Sequence, residues 1–407
     1  MKVAVIGAGA AGVATAWTLG QDGHEVTVLE ARGTVAEAGS FAAAGLIAPG
    51  WNADWAGAAG RWVPRWAALG AGLQSGSVWP RPGDWGWLWR YRGQRSPARA
   101  LDLQTLNSAL AAELNDGLAL EHDRTAGLLA LFRTATDAAA ASPAGAALRQ
   151  SGVTVRELTP EQARAVEPAL CPDTPLHGAL QLAGDAINGR EWAICLRQRA
   201  QTLGVRWRFA APVRGLRHDS TGWTLDTPEA HAERFDVVVV CAGETAAALL
   251  KPLGLLLPQR AVAAHSVSAA LREPLDAPLS AVIDARHGVS IARVGQRVRV
   301  AGGARLGGAR CPRTLQRLYG VLTDWFPGAA KLSSGAGLQE WHGMQAWVPD
   351  GRPLIGGTRL QGLYLHAAGA DAGWSTALAG ARLLGEALAG RPAPINPTPY
   401  APARLGL

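Results

Sequence analysis

The sequence predicts an α/β protein in which a parallel sheet flanked by helices is joined to a mostly antiparallel α+β layer. Three observations predict this: a strand, glycine-rich turn, helix and strand over residues 3–30, an unbroken β-branched strand at 236–241, and short alternating strands between 265 and 301. Continuous apolar strands are typical of parallel sheets covered on both faces, whereas alternation is typical of antiparallel sheets. Two layers of different character are therefore expected.

The first element is a strand at residues 3–6 that runs into Gly7, Gly9 and Gly12, the spacing of a dinucleotide-binding fingerprint. Gly7 permits the tight turn, Gly9 lets backbone amides approach a pyrophosphate, and Gly12 lets the helix pack close to the sheet. The phosphates would lie at the helix N-terminus, where unpaired N–H groups favour an anion. Glu30 ends the second strand, at the spacing of an acid that binds ribose hydroxyls. These features predict a Rossmann-like domain, and they fit NAD and FAD equally well.

The same N-terminal run also has the order of a secretory signal, because Met1 and Lys2 precede an alanine-rich stretch that reaches Trp17. Three glycines would weaken a signal helix, and removing the segment would delete the first strand of the sheet. We therefore favour the nucleotide-binding interpretation.

The composition is that of a globular protein, since 48% of the 407 residues are hydrophobic, which is ample for a packed core. The longest apolar runs are too short to span a bilayer, so any membrane contact would be peripheral. The formal charge is +7, yet the basic residues are scattered and we find no nucleic-acid recognition motif. Nucleic-acid binding is therefore not expected.

The pattern of cysteines and histidines argues against a metal site or a disulfide framework. The nine histidines form no His-Glu-x-x-His or similar cluster. The four cysteines lack paired spacing; they are Cys171, Cys195, Cys241 and Cys311. We expect no metal, and a reducing cytoplasm as the compartment.

A tryptophan- and arginine-rich segment follows the nucleotide-binding start. Half of the sixteen tryptophans lie there, with arginines among them. Two interpretations stay open: an interfacial patch that contacts lipid headgroups or a quinone, and ordinary core or interdomain packing. The residues concerned are Trp51, Trp55, Trp62, Trp66, Trp79, Trp85, Trp87, Trp89, Arg61, Arg65, Arg81, Arg90 and Arg92.

The middle of the chain alternates helices and strands. Leucines at helical spacing predict a helix over 100–118, and a strand over 127–132 follows. The segment Thr159–Gln162 has the pattern of a capping box with a proline in the first turn, so a helix is expected to begin there. A helix over 191–203 ends at a glycine and is followed by an alternating strand over 205–209.

The second half supplies parts of both layers. The strand at 236–241 is expected to return to the parallel sheet beside the nucleotide. Short strands at 265–271, 280–284, 289–294 and 297–301 suit the antiparallel layer, and the substrate is expected where the layers meet. The remaining predicted elements are a helix over 315–325, a turn at 349–353, a strand over 363–365, a glycine-rich loop over 368–373 and a helix over 374–388.

Five motifs, in this order over nearly the whole chain, resemble the FAD-dependent D-amino-acid oxidase superfamily, and within it the small subunit of bacterial D-amino-acid dehydrogenases. The motifs are Ser40-Phe41-Ala42-x-Ala44-Gly45, Leu131-Phe132-Arg133-Thr134, Val166-Glu167-Pro168-Ala169-Leu170, Pro349-Asp350-Gly351-x-Pro353 and Gly373-Trp374. The resemblance implies a discontinuous, Rossmann-like FAD-binding domain over residues 1–55, 150–250 and 335–407. It implies a mostly antiparallel α+β substrate or cap domain over 56–149 and 251–334.

The resemblance also implies that noncovalent FAD lies extended, with its pyrophosphate at the first helix and its flavin beneath the loops at 40–45 and 368–373. A helix that starts near Trp374 would direct its positive end at the flavin and stabilise developing negative charge. The candidate FAD-binding residues are Gly7, Gly9, Ala10, Ala11, Gly12, Glu30, Ala31, Arg32, Ser40, Ala44, Gly45, Val213, Ala242, Gly243, Gly369, Gly373 and Trp374.

In this family a hydride moves from the carbon next to an amine to flavin N5, and water hydrolyses the resulting imine, so the resemblance implies an amine or D-amino-acid dehydrogenase. Catalysis of that kind is mainly orientation. The chain departs from the pattern on the substrate side, because Gln345 stands where the family has a carboxylate-binding arginine. Val262 replaces a tyrosine, and Ala368-Gly369-Ala370 replaces Gly-His-Gly. We expect an atypical substrate: a secondary amine, a cyclic imino acid or a larger amine without the usual carboxylate.

Other groups near these positions are candidates to compensate for the missing arginine. Gln345, His265 and His342 are the candidate catalytic residues. Arg260, Arg293 and Arg305 are further candidate cations, and each of these side chains has an ordinary core or surface position as its alternative.

Two other functions stay open at this point. One is an oxidase of the glycine or sarcosine type that reduces O2, and the other is a noncatalytic flavin-binding subunit. The expected partners are a small amine or amino acid and a quinone or other electron acceptor. The expected location is the cytoplasm, with peripheral contact at the inner membrane face left open.

Overall fold

The structure is a computed structural model that describes residues 1–50, 73–75, 82–93, 100–120, 122–228, 233–307, 310–332, 337–367, 369 and 373–407. Several residues named above lie outside the described residues: Trp51, Trp55, Trp62, Trp66, Trp79, Arg61, Arg65, Arg81, Ala368 and Ala370.

The strands that the structure describes follow in chain order. They are β1 Lys2–Ile6, β2 Glu25–Leu29, β3 Leu46–Ile47, β4 Leu73–Ser75, β5 Arg124–Phe132, β6 Val155–Leu158, β7 Gly178–Ile187, β8 Arg206–Arg208, β9 Gly215–Asp219, β10 Gly222–Asp226, β11 Arg234–Phe235, β12 Val237–Val240, β13 Arg260–Ala270, β14 Ala281–Asp284, β15 Val289–Val294, β16 Arg297–Leu306, β17 Leu338–Trp347, β18 Leu354–Gly357 and β19 Leu363–Ala367.

The α-helices within the described ranges connect these strands. They are α1 Ala10–Gln21, α2 Pro82–Gly93, α3 Leu101–Leu118, α4 Ala135–Gln150, α5 Pro160–Val166, α6 Gly189–Thr202, α7 Ala246–Leu250, α8 Pro312–Trp325 and α9 Gly373–Ala389. Helix α5 begins with the predicted capping box: Thr159 Oγ1 accepts the Gln162 N–H at 3.3 Å, and Gln162 Oε1 accepts the Thr159 N–H at 3.0 Å.

The first sheet has six strands in the order β18-β19-β12-β1-β2-β8. Strand β1 pairs in parallel with β2 on one side and with β12 on the other, so the predicted return of the 236–241 strand is confirmed. All four residues of β12 are buried, because helices α1, α6 and α9 pack on one face of the sheet and a second apolar cluster covers the other.

The second sheet has ten strands and is mostly antiparallel, with its main path in the order β17-β13-β16-β15-β14-β5-β7-β3. Helix α8 packs on one side of it through residues such as Leu318 and Trp325. The predicted α/β fold with an antiparallel second layer is therefore confirmed, and a separate three-stranded antiparallel sheet, β11-β10-β9, adjoins the first sheet.

The chain passes between the two sheets more often than the sequence predicted. Strands β3, β6, β7 and β17 fall within the predicted FAD-binding segments, yet they hydrogen-bond into the ten-stranded sheet. Local patterning gives the period of a strand but not its partner, which explains this difference. The predicted domain bounds stay a prediction.

Two of the family-like motifs form buried polar networks in the second sheet. Arg133 Nε lies 2.7 Å from Asp284 Oδ2, which also accepts the Trp325 indole N–H at 2.9 Å. Burial alone would raise the pKa of Asp284, but His287, Arg133 and Trp325 outweigh it and lower the pKa to about 2. Glu167 is likewise buried and accepts the Leu279 N–H at 2.9 Å. Both motifs support the fold away from the cavity described below.

Within the described ranges, no helix combines the length and apolar character needed to cross a bilayer. The same part of the chain contains no group of three or more His, Cys, Asp or Glu side chains arranged to hold a metal ion.

Candidate functional site

A cavity of about 620 Å³ lies between the two sheets. One end is lined by the carboxyl ends of β1, β2 and β12 and by the start of α1, where ligands of open α/β sheets bind. The other end is lined by β13, β16 and β17 of the second sheet. We call these the nucleotide end and the substrate end.

The nucleotide end is lined mainly by glycine and alanine, so backbone faces the cavity. Gly7 has φ +99°, and a Cβ there would lie 2.7 Å from the Cys241 carbonyl oxygen. A Cβ on Gly12 would lie 1.9 Å from the Gly7 carbonyl oxygen, so α1 packs directly on the turn. The first residues of α1 line the cavity beside this close-packed turn, and the N-terminus of a helix favours an anion.

Polar side chains hold this turn from two directions. Glu30 accepts the Ala8 N–H at 2.6 Å and the Arg32 N–H at 2.8 Å, so its carboxylate is fixed at the tip of β2. Ser40 Oγ accepts the Ala10 N–H at 3.2 Å, which joins the 40–45 loop to the start of α1. The donors and acceptors present suit the phosphates and ribose of a dinucleotide.

The start of helix α9 forms another wall. Trp374 is buried and packs edge-to-face on Trp192 with ring centroids 5.6 Å apart. A Cβ on Gly189 would lie 2.4 Å from the Trp374 ring, so only glycine fits beneath it. The buried Asn107 accepts the Leu378 N–H at 2.9 Å, which anchors the first turns of α9 against α3. The N-terminus of α9 is therefore held at the cavity by tertiary packing.

A buried polar cluster lies below the nucleotide end. The His366 Nδ1 and Thr15 Oγ1 atoms are 2.8 Å apart, and the Cys241 thiol donates to Thr15 Oγ1 at 3.9 Å. Burial lowers the pKa of His366 to about 4 and raises the pKa of Cys241 to about 12, so both groups are neutral at pH 7.

Of the positions that depart from the family pattern, Gln345 lies at the substrate end. Gln345 on β17 lines the cavity and pairs in register with Val262 on β13. Val262 itself is fully buried in an aromatic cluster and does not line the cavity. The Gln345 Oε1 atom accepts the Trp347 indole N–H at 3.2 Å.

His265 also lines the cavity and is 1% exposed. Its Nε2 accepts the Cys311 backbone N–H at 3.1 Å. Burial lowers the pKa of His265 against an opposing effect of the Gly303 backbone, and Arg305 adds to the lowering, so the imidazole is neutral at pH 7. His342 is exposed and does not line the cavity, although its ring lies 6.3 Å from that of His265.

The candidate cations have other contacts. Arg260 Nε lies 2.7 Å from Asp84 Oδ1, and Arg305 Nη1 lies 2.6 Å from Cys311 Sγ. Arg293 Nε donates to the Gly295 carbonyl at 3.0 Å. None of these three arginines lines the cavity. Among the described residues that line the substrate end, there is no Arg or Lys side chain.

The predicted FAD-binding residues all line this cavity except Gly12, which contributes packing as described above. Their roles in binding stay a prediction. Sequence patterns did not indicate Arg214 or the lining residues from the second sheet, which include Ser290, Gly302 and Gly303. The adjacent glycines Gly302 and Gly303 within an alternating strand are typical of a β-bulge and could have indicated this part of the cavity. The β13–β16 register does shift beside Gly303.

Curated proteins match the chain over nearly its full length. It is 34% identical to a D-amino acid dehydrogenase from Methylobacterium sp. (strain 4-46), with 96% of each chain covered. It is 32% identical to a D-amino acid dehydrogenase from Neisseria meningitidis serogroup C (strain 053442), again with 96% of each covered.

Solved structures share the fold. Glycine oxidase from Geobacillus kaustophilus superposes with a TM-score of 0.75 at 22% identity, covering 98% of this chain and 97% of that one. L-proline dehydrogenase from P. horikoshii gives a TM-score of 0.76 at 17% identity, and the match covers 99% of this chain and 97% of that one. The sequence profile of the DAO family, described as FAD dependent oxidoreductase, matches residues 2–387. The chain therefore belongs to the DAO family of FAD-dependent oxidoreductases.

Proposed function

We propose that the protein oxidises the C–N bond of a D-amino acid or a related amine, with FAD bound along the cavity between the two sheets. The observation that carries this proposal is the cavity itself, which joins a backbone-lined nucleotide end to a substrate end containing Gln345 and His265. Relatives named D-amino acid dehydrogenase support the substrate class. When bound, FAD supplies the acceptor for the hydride that leaves the substrate carbon.

The described residues support an extended dinucleotide. The start of α1, with Gly9, Ala10 and Ala11, would hold the pyrophosphate through backbone N–H groups and the helix dipole. Glu30 would accept hydrogen bonds from ribose hydroxyls. The start of α9, with Gly373, would place positive partial charge beside the flavin. The remaining proposed FAD-contacting residues are Gly7, Ala31, Arg32, Ser40, Ala44, Gly45, Val213, Ala242, Gly243, Gly369 and Trp374.

At the substrate end the protein would bind and orient rather than supply a charge. Gln345 offers a neutral amide and His265 a neutral imidazole, and no described lining residue there is an arginine or lysine. A bidentate arginine–carboxylate contact exceeds a neutral hydrogen bond by about 1–3 kcal/mol. We therefore propose a secondary amine, a cyclic imino acid or a larger amine whose recognition does not depend on a carboxylate.

Anaerobic absorbance titration of the purified protein tests this function. D- and L-amino acids, proline analogues and N-methyl amines are added in turn while the visible flavin band is recorded. We expect one of the proposed amine classes to bleach the flavin at lower concentration than D-alanine. Bleaching by D-alanine at low millimolar concentration would argue for an ordinary amino-acid substrate. Flavin that no amine reduces would favour the noncatalytic flavin-binding subunit.

The electron acceptor needs a separate assay. We propose a dehydrogenase that passes electrons to a quinone or another acceptor, with an oxidase that uses O2 as the alternative. Aerobic turnover with and without a soluble quinone analogue separates the two. Stoichiometric peroxide in the absence of quinone would identify the oxidase.

Part of the tryptophan-rich segment supports peripheral membrane contact. Trp85 and Trp89 lie one turn apart on α2 and are 46% and 77% exposed, with the exposed Arg90 beside them, whereas Trp87 is buried. Exposed tryptophan and arginine favour the bilayer interface. We expect the protein to sediment with anionic vesicles, and a W85S/W89S variant to remain in the supernatant. Equal sedimentation of both proteins would contradict this contact.

A further inference from the structure

The Trp347 indole contacts one end of the Gln345 amide. An amide has a donor end and an acceptor end, and an indole N–H can only donate. Because the Trp347 indole donates to Gln345 Oε1 at 3.2 Å, the oxygen end of the amide faces Trp347 and the NH2 end faces away from it. Gln345 and Trp347 are two residues apart on β17, so both side chains lie on the same face.

Trp347 is itself held rigidly. It is fully buried in a cluster with Trp87, Leu88, Tyr91 and Val262. The Tyr91 and Trp347 rings are 5.9 Å apart, and the Trp87 and Tyr91 rings stack at 5.3 Å with an interplanar angle of 7°. The indole therefore has little freedom to release the amide.

Helix α2 completes this support from outside the sheet. The Trp87 indole N–H donates to the Pro258 carbonyl at 2.9 Å, and Asp84 Oδ1 lies 2.7 Å from Arg260 Nε on β13. The helix is thereby fixed to both ends of the segment that leads into β13. Val262, at the position where the family has a tyrosine, packs under this helix and leaves room for the aromatic stack.

We infer that Trp347 is a positioning residue that fixes Gln345 as a neutral hydrogen-bond donor, so that the substrate end selects a ligand with an acceptor oxygen beside the amine and does not require that oxygen to be charged. This inference rests on the proposed function and deepens it. An oriented amide NH2 can donate to the oxygen of a carboxylate, a carboxamide or an ester, whereas a freely rotating glutamine can also turn its own oxygen towards that acceptor, which is unfavourable.

Ligand binding tests the positioning role without requiring turnover. The probes are pyrrole-2-carboxylate, pyrrole-2-carboxamide and unsubstituted pyrrole, titrated into the FAD-loaded protein while the flavin absorbance is recorded. Trp347→Phe keeps a buried ring and removes the indole N–H. We expect this variant to bind pyrrole-2-carboxylate and pyrrole-2-carboxamide about 5- to 10-fold more weakly than the wild type does, as loss of one oriented hydrogen bond predicts. Its affinity for pyrrole should be unchanged.

Two controls separate positioning from general damage. Trp87→Phe removes an indole N–H from the same aromatic stack without touching Gln345, so it should leave all three affinities within about twofold. In a Gln345→Leu background, Trp347→Phe should have no further effect, because the group that it orients is absent.

The outcomes are distinct. Equal losses in Trp347→Phe and Trp87→Phe, or an additive double mutant, would overturn the positioning role. A wild-type protein that binds neither oxygen-bearing probe would overturn it as well, because the fixed donor would then have no acceptor to hold. Failure of the proposed function would appear elsewhere, as flavin that no amine reduces.

Discussion

The two ends of one cavity differ in how their geometry is produced. At the nucleotide end the contacts are local and made by backbone: Gly7, Gly9 and Glu30 lie within one βαβ unit. At the substrate end Gln345 and His265 sit on neighbouring strands of another sheet and are held by partners distant in sequence. The first end depends on the absence of side chains and the second on their identity, so we expect a side-chain substitution at the second end to leave the first intact.

A glycine at the nucleotide end gives the largest expected effect, because its substitution changes both FAD content and stability. In Gly12→Ala the new methyl group would lie 1.9 Å from the Gly7 carbonyl oxygen, so helix and turn must separate. We expect loss of most bound FAD, measured as the ratio of flavin to protein absorbance, and destabilisation of about 3 kcal/mol. The matched control is Gly117→Ala on α3, where nothing lies within 4 Å of the added Cβ. Retention of full FAD by Gly12→Ala would show that the turn is not constrained as described.

The next effect concerns the second sheet away from the cavity. Arg133→Leu leaves the fully buried Asp284 carboxylate without its ion-pair partner, which costs about 3–5 kcal/mol. Arg149→Leu is the control, because it removes an exposed ion pair with Glu157, whose contribution is under about 1 kcal/mol. Urea unfolding followed by circular dichroism measures the free energy of unfolding of both variants. Similar losses in the two variants would contradict a specific role for the buried pair.

The smallest of these effects is a pH dependence beneath the nucleotide end. Burial lowers the pKa of His366 in the folded protein to about 4, below its usual value of 6.5, so the unfolded chain binds more protons between these values. The free energy of unfolding should therefore fall by about 2 kcal/mol from pH 7 to pH 5 through this group. His366→Asn should flatten that slope, because the amide that replaces the imidazole does not titrate. An unchanged slope in His366→Asn would assign the pH dependence to other groups.

Local features of the sequence were sufficient to predict the secondary structure of the nucleotide end and the start of helix α5. The fingerprint, the capping box at Thr159 and the parallel return of β12 all depend on neighbours in sequence or on continuous apolar runs, and each is present. Strand β15 begins and ends at the predicted residues.

Long-range contacts explain what could not be predicted. The placement of β6 and β7 in the second sheet depends on pairing with β5, which periodicity does not encode. The link from Trp347 to Gln345 and the burial of Val262 under α2 require the assembled sheet. His342 pairs with His265 in register, yet its side chain is exposed and lies outside the cavity. Pairing within a sheet therefore does not predict which side chains line the cavity.

The central claim is that a neutral donor has replaced a charged clamp at the substrate end while the nucleotide end is unchanged. The most direct measurement is the ratio of kcat/KM for an amino acid to that for its amide, in the wild type and in Gln345→Arg. Gln339→Arg serves as the control, because it adds the same charge at an exposed position of β17.

We predict a wild-type ratio within about tenfold of unity, and a rise of roughly 10- to 100-fold in Gln345→Arg with FAD content unchanged. A wild-type enzyme that already prefers the acid by more than about 100-fold, or a Gln345→Arg ratio equal to that of Gln339→Arg, would contradict the account.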